Sequence, residues 1–319
     1  MSDNKKQMNE TPYQSELYII TAKTNMHVGS GDEAYGLVDN RVQRDVVTGI
    51  PNINASGLKG ALREYFDLKY GKNTPRIIDI FGTDNTPKNE KEENTENEDK
   101  KESEVKKSKK IHQAGKFRFF NANLFSIPVR SNVKSFFRAT CPHVISDLID
   151  MMKTFDCSDT HDIKKHLNRL AQLKPESGTA FTFDKTDKDA VLEEHEHKIQ
   201  YTELDSQSVT MIKSIIGENP VLMNDIDFDD ICGDYHLPLI ARNCLENGRS
   251  TNIWHEQVVP RESRFYFFLL KPRDIAYDLE FSSREPVQIG GNASIGYGFT
   301  RIEKIDDLIS PVLQAEKRP

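Results

Sequence analysis

One stretch, residues 27–66 (HVGSGDEAYGLVDNRVQRDVVTGIPNINASGLKGALREYF), constrains the fold and the chemistry more than any other. Its glycines, Gly29, Gly31 and Gly36, make a loop whose backbone can take positive φ and approach a ligand closely. Residues 37–47 then read as extended chain, holding Asp39, Arg41 and Arg44 among Leu37, Val38, Val42, Val46 and Val47. Ser56 reads as a helix N-cap, because Leu58, Ala61, Leu62, Tyr65 and Phe66 recur behind it at helical spacing. That helix is expected to run to about Tyr70, with Gly71 as its stop. A glycine loop, a carboxylate, two arginines and a helix N-terminus together suit an anionic polymer better than a small apolar ligand.

The rest of the chain supplies strands and helices without a regular βαβ repeat. Residues 17–24 and 261–271 read as strands, the second the strongest in the chain, and 116–130 as a strand interrupted late by Pro128. Residues 77–82 are a short apolar piece ending at glycine. Segments 143–152, 162–173, 208–216 and 237–245 carry helical periodicity, and 287–302 reads as strand, glycine-rich turn and strand. Phe136 and Phe137 read as core or as support for a backbone-binding surface. This pattern predicts an α+β fold with an antiparallel sheet covered by helices on one face and a ferredoxin-like (RRM-like) core. A single domain over 15–310 is expected between tails at 1–14 and 311–319, with a thumb or insertion within 174–235, where 175–200 reads as a projecting hairpin or loop. Residues 84–115 hold only Val105, Ile111 and Ala114 as apolar side chains, so they read as a disordered charged insertion.

Charge narrows the reading further. A net charge of -7 argues against a uniformly basic phosphate binder. Its distribution is uneven: 184–234 has 14 acidic residues against 4 basic ones, whereas 116–138 has five basic residues and no acidic ones. The two segments are expected on opposite faces, leaving a basic surface on an acidic protein. No apolar run is long enough to cross a membrane, the N-terminus reads as a polar tail rather than a secretory signal, and the four cysteines form no CxxC pair. Those features point to a cytoplasmic protein with no membrane contact.

Several motifs have a duller reading beside the functional one. Gly29-Ser30-Gly31-Asp32-Glu33-Ala34 matches a dinucleotide fingerprint in letters, but no helix follows it. Gly290, Gly291, Gly296 and Gly298 read first as a bulged β-turn and otherwise as a loop presenting N–H groups to phosphate. His195-Glu196-His197 has no fixed third metal ligand and reads as a solvated loop, and Asp225, Asp227, Asp229 and Asp230 lack the glycine and glutamate of a calcium loop. Asp39 is a turn or salt-bridge residue on composition alone, with His27 its rival as a general base.

Taken together, HVGSGD, VDNRVQRD, IPNINASGLKGALR and the late IGGNASIGYGF resemble the RAMP superfamily, the RNA-binding proteins of CRISPR systems. FSIPVRS, ATCP and WHEQVVP narrow the resemblance to the repeated backbone subunit of Cmr, or type III-B, effector complexes. The resemblance implies several copies stacked in a filament on one CRISPR RNA, with other Cmr subunits and a target RNA as partners. It implies projecting thumb hairpins that interrupt the guide–target duplex, with cleavage beside each interruption by attack of the ribose 2′-OH. Asp39 falls on the catalytic position and would hold a divalent metal ion, Mg2+ or Mn2+, or assist removal of the 2′-OH proton. The remaining RNA-binding candidates are His27, Gly29, Gly31, Arg41, Arg44, Ser56, Lys59, Arg63, Arg130, Gly290, Gly291, Asn292 and Gly296. A non-catalytic filament protein and a stand-alone RAMP endoribonuclease acting on CRISPR precursors, with His27 as base, are the alternatives.

Overall fold

The computed structural model describes residues 11–31, 38–83, 113–157, 161–187, 190–192 and 197–316. The expected insertion at 84–115 therefore lies almost wholly outside the described residues, as do His195 and Glu196.

Fourteen strands and seven helices follow one another in the described chain. The first half contains β1 (Tyr13–Ala22), β2 (Asn52–Ile53), α1 (Ala55–Tyr70), α2 (Pro75–Phe81), β3 (Arg118–Phe119), β4 (Ala122–Val129), β5 (Phe137–Thr140), α3 (Pro142–Thr154) and α4 (His161–Ala171). The second half contains β6 (Thr179–Thr182), β7 (Val191–Leu192), β8 (His197–Tyr201), α5 (Ser206–Ile216), β9 (Pro220–Met223), α6 (Asp225–Ile231), β10 (Leu239–Glu246), β11 (Arg249–Gln257), β12 (Arg264–Pro272), β13 (Val287–Gln288), β14 (Phe299–Lys304) and α7 (Ile305–Glu316). All strands but β10 and β11 join one sheet, in the order β13-β14-β1-β12-β4-β5-β9-β6-β8-β7, with β2 beside β4 and β3 beside β12.

Its heart is β14-β1-β12-β4, antiparallel throughout. Taken in chain order these are the fourth, first, third and second strands, which is the ferredoxin-like order. The helix α1 lies in the first crossover, and the second crossover carries the short strand β13 and no α-helix. Everything from β5 to β11 is inserted between the second and third core strands. It extends the sheet through the parallel pairs β5–β9 and β6–β8.

The sheet is covered on both faces, not on one. In β1 every residue from Glu16 to Ala22 is buried, and a strand with one wet face would alternate. Tyr18 stacks on Phe267 and meets Phe281, which packs against Tyr65 and Phe66 of α1. On the other face Phe268 meets Phe155, the residue that ends α3. The helix α1 docks through Leu58, Leu62 and Phe66, which are fully buried at the spacing read from the sequence. It starts one residue before the expected cap: Asn54 is the N-cap and Ser56 is an exposed residue of the first turn. Residues 75–81, expected only as a short apolar piece, form a helix opened by Thr74, whose side chain accepts from the Ile77 N–H.

Other expectations are corrected. Residues 237–245, expected as a helix, are largely the strand β10, paired with β11 in an antiparallel hairpin apart from the main sheet. That hairpin is exposed along most of its length and buried at its base, at Glu256 and Gln257. Within 175–200, expected as a projecting hairpin or loop, β6 and β8 pair in parallel inside the main sheet, and residues 188–189 and 193–196 lie outside the described residues. The C-terminal tail expected from 311 continues as helix to Glu316, and β1 begins at Tyr13 within the expected N-terminal tail. Nor do the acidic and basic segments occupy opposite faces. Lys134 pairs with Asp187 at 2.6 Å, Arg138 donates to the Glu218 carbonyl, and β5 lies against β9. Among the described residues no helix is long and apolar enough to cross a membrane.

Candidate active site

Where β1 ends, the chain runs extended past the foot of the β10–β11 hairpin. Met26 bridges Val259 and Gly29 bridges Val42, so residues 26–29 are gripped between the hairpin exit and the returning segment 40–43. The extended reading of that return holds as far as Arg44, which bridges Pro51, although it is pinned by isolated bridges and joins no regular strand. Val46 and Val47, read as part of the extended apolar run, instead stand almost fully exposed on a turn that Asp45 closes by accepting the Val47 and Thr48 N–H groups.

Between these segments opens a groove of about 580 Å3 lined by His27, Gly29, Ser30, Gly31, Asp39 and Asn40, together with Arg41, Glu256, Gly291 and Asn292. Seven of these ten positions belong to the expected set. Asp39 is exposed there; its Oδ2 accepts from the His255 N–H at 2.7 Å, and its own N–H donates to the His255 carbonyl at 3.2 Å. One carboxylate oxygen is thus spent on fixing the residue to the hairpin strand, and the other makes no hydrogen bond among the described residues. His27 is buried, with Nδ1 2.8 Å from the Gln257 carbonyl. A carbonyl only accepts, so Nδ1 carries the proton and a neutral ring presents Nε2 as its acceptor. Nε2 lies against Gly29, where an added Cβ would stand 3.2 Å from it.

Glu256 is the second carboxylate of the groove, and both its oxygens are occupied. Arg242 Nη1 donates to Oε1 and Oε2 at 2.9 Å each, Trp254 Nε1 to Oε1 at 3.0 Å, and Asn292 Nδ2 to Oε2 at 2.9 Å. Burial pushes the Glu256 carboxyl up, but the Trp254 N–H and the Arg242 guanidinium outweigh it and hold the group below the usual glutamate range. Asn292 is in the left-handed conformation, at φ 64°, and so brings the late glycine loop onto the hairpin foot. Gly290 lies directly behind His27, whose carbonyl accepts the Gly291 N–H at 2.8 Å; a Cβ at Gly290 would come within 2.4 Å of that carbonyl oxygen. The glycine cluster is therefore both a bulged turn and a wall of the groove.

The two arginines differ. Arg41 reaches the groove and shares Asp234 with Arg44. Arg44 is spent inside: its Nη1 donates to the Gly49 and Cys232 carbonyls at 2.7 and 2.6 Å. Its acidic partner is Asp234, 3.0 Å from Nε. Ser56, Lys59 and Arg63 sit on α1 and Gly296 caps a 3-10 turn; none of them lines this groove, nor does Arg130. Lys59 lies 5.9 Å from the Phe119 ring, and burial, then Arg63, lower its pKa below the ordinary lysine value. Arg63 lies 3.7 Å from Asp67.

Residue-by-residue reading missed Asp234, Arg242, Glu256 and Gln257. Gln257 is fully buried and ties three segments together: its N–H donates to Asn40 O, its Oε1 accepts from Val42 N–H, and its Nε2 donates to Asp234 O. The only signal for them was the WHEQVVP motif, which carries both Glu256 and Gln257. Among the described residues no three or more His, Cys, Asp or Glu side chains are grouped to hold a metal ion. His197, half of the doubtful His pair, is buried against Asp227 at 3.0 Å, far from a metal-ligand role.

The site is thus a groove at the foot of the β10–β11 hairpin on a ferredoxin-like sheet, with an exposed acid between two glycine-bearing loops. The chain belongs to the RAMP superfamily, whose family model matches residues 19–301. It is similar to the CRISPR system Cmr endoribonuclease Cmr4 of Pyrococcus furiosus, with 26% identity across 90% of this chain and 93% of that protein. It is also similar to the CRISPR system CMR subunit Cmr4 of Saccharolobus solfataricus, with 23% identity across 91% and 96%. Among solved structures, a chain of the type III-B Cmr-beta complex bound to cognate target RNA superposes with a TM-score of 0.70 at 21% identity, covering 94% of this chain and all 100% of that one. Oligomeric Cmr4 from Pyrococcus furiosus gives 0.62 at 21% identity, covering 92% and 100%. The ferredoxin-like RAMP core expected from the sequence is therefore the fold of this chain.

Proposed function

We propose that the chain is the repeated, RNA-guided endoribonuclease subunit of a type III-B CRISPR effector complex, working in the cytoplasm beside other Cmr subunits. Copies stack along one CRISPR RNA, and each cuts the complementary target RNA once, so that cuts fall at regular intervals. The ribose 2′-OH gives up its proton and attacks the adjacent phosphorus, the P–O5′ bond breaks, and the departing O5′ takes a proton from water, giving a 2′,3′-cyclic phosphate and a 5′-OH.

One observation carries this reading: among the described residues Asp39 is the groove carboxylate that retains an unspent oxygen, on backbone that two hydrogen bonds fix to His255. Glu256 cannot substitute, because its oxygens are committed to Arg242, Trp254 and Asn292. Holding the reactants in line, next to a fixed acid, lowers the barrier chiefly through orientation. His27 presents Nε2 beside Gly29 and orients the sugar, and Arg41 at the groove wall neutralises phosphate charge. Among the described residues Asp39 is the groove carboxylate with an oxygen to spare, and a hard divalent ion, Mg2+ or Mn2+, would take its other ligands from water and RNA phosphate. Asp39 would hold that ion, which supplies positive charge to the phosphate under attack.

The test is a reconstituted complex carrying Asp39→Ala in every copy. Target binding is expected to persist while cleavage falls by at least about 100-fold, and chelation of divalent ions is expected to stop the unmodified complex in the same way. Cleavage unchanged by Asp39→Ala would remove Asp39 from the mechanism. Cutting of CRISPR precursor by the isolated chain, lost in His27→Ala, would make it a stand-alone nuclease.

A further inference from the structure

A small polar cavity of about 90 Å3 shares no residue with the Asp39 groove. Its polar lining is Asp45 and Thr48 from the turn that follows the groove segment, Asn52 from β2, Asn123 from β4, Asp147 from α3 and Tyr266 from β12. The volume suits an ion with a few waters and lies far below the roughly 300 Å3 at which organic-ligand sites begin. One of the lining groups lacks a partner. Asn52 is only 4% exposed and its backbone N–H donates to the Gln43 carbonyl, yet its side-chain Oδ1 is buried with no hydrogen-bond partner among the described residues. Leaving a buried amide oxygen unsatisfied is costly, so the cavity that it lines calls for a donor or a cation.

Charge selects between the two. The lining holds two carboxylates and no lysine, arginine or histidine. Asp45 spends Oδ1 on the Val47 and Thr48 N–H groups and the Thr48 hydroxyl, and Asp147 lies 3.5 Å from the exposed His143 of its own helix. Among the described residues neither acid pairs with a lysine or arginine. Burial raises the Asp147 carboxyl above its ordinary pKa; His143 opposes this, while Asp150 and Asp45 add to it. Burial foremost pushes the Tyr266 hydroxyl up to about 12 against the Asn123 hydrogen bond, and Asp147 and Asp45 add to that rise, so both acids act on one neighbourhood. Asn123 turns its Nδ2 to the Met151 sulfur and the Tyr266 hydroxyl, which leaves its Oδ1 to accept. Carboxylates, amide oxygens and hydroxyls without an imidazole or a thiol make a donor set for a hard cation, and two negative charges suit a divalent one.

We propose that this cavity binds a hard divalent cation of the Mg2+, Ca2+ and Mn2+ class through Asp45, Asp147 and the Asn52 amide oxygen, and that the ion fastens the turn after the Asp39 segment to α3. The site needs no RNA and does not rest on the reading of the groove. The full-length chain with Asp39→Ala, which removes the groove carboxylate, is titrated with Mn2+ in the absence of RNA. Bound metal is read from the loss of the free-ion paramagnetic resonance signal, and stability from the melting temperature. Saturable binding of a single ion, displaced by excess Ca2+, and a rise in melting temperature with Mn2+ are expected. Adding Asp147→Asn is expected to weaken binding at least about 10-fold, whereas adding Asn52→Asp, which supplies another charged oxygen, is expected to tighten it. No saturable binding by the folded Asp39→Ala chain, or binding undiminished by Asp147→Asn, would overturn the proposal and leave the cavity to water. Should Asp147→Asn fail to fold, Asn52→Asp decides: binding no tighter than in its parent would overturn the site. Metal bound by the unmodified chain and lost in Asp39→Ala would assign the ion to the groove and overturn the cavity site while supporting the groove reading.

Discussion

Asp39 shows how one residue can be both scaffold and chemistry. Its Oδ2 holds the hairpin strand through the His255 N–H, so alanine removes a structural hydrogen bond along with the charge. Asp39→Asn keeps an acceptor at that position and removes only the charge. Cleavage is expected to fall as far in Asn as in Ala, by at least about 100-fold, while melting temperature drops only in Ala. Equal activity of Asn and wild type, measured on a labelled target strand, would show that the carboxylate's charge is not used. At Gly298 the demand is steric: φ is 75°, and an added Cβ would stand 2.0 Å from the Ile289 carbonyl oxygen. Gly298→Ala is expected to cost about 2 kcal/mol or more in urea unfolding, and to loosen the loop that carries Asn292.

At the scale of elements, the hairpin matters most. Its outer half is exposed, so what orients it is its foot, where Arg242 and Asn292 converge on Glu256. The Glu256 side chain is only 6% exposed, and removing its cation leaves a buried carboxylate without its partner. Arg242→Ala is expected to destabilise by about 3 kcal/mol and to raise amide exchange across 239–257 more than in β1 or β12. Uniform exchange across all three would mean the foot does not govern the hairpin. The sequence made this element hard to see: LIARNCLE has no clean alternation because most of it packs on nothing. By contrast β1 and β12 bury most of their length and α1 buries one face at Leu58, Leu62 and Phe66, so their apolar patterns read directly.

For the whole molecule, acidity is a latent weakness. Glu256, Glu262 and Asp227 are each held below their ordinary pKa, burial working against a stronger set of partners: Trp254 and Arg242; Lys23 and Arg138; Ser177, Gly178 and His197. A depressed folded-state pKa adds stability that is complete above the unfolded value, about pH 4 to 4.5, and is lost as pH falls through the folded value. Unfolding free energy is therefore expected to hold between pH 7 and about 5 and to fall steeply below about 4. A flat profile down to pH 3 in urea titrations would contradict this. Pairing of the same kind draws the acidic segment onto basic residues within the fold, Asp187 onto Lys134 and Asp234 onto Arg41 and Arg44.

What the sequence alone determined is the local and the ordered: which segments have an apolar face, where a glycine must stop a helix, and a run of short motifs whose order marks the RAMP family. Asp39, His27 and the two glycine loops were legible because they sit in those motifs. Only the tertiary structure decided which side chains meet. Arg41 and Arg44 find Asp234, Asp39 finds His255, and Asn292 finds Glu256, across separations of 36 to 216 residues. Hydrogen bonds and ion pairs act over a few ångströms of space and leave no periodic trace along the chain, so the partners of a site emerge only when the chain has folded around it.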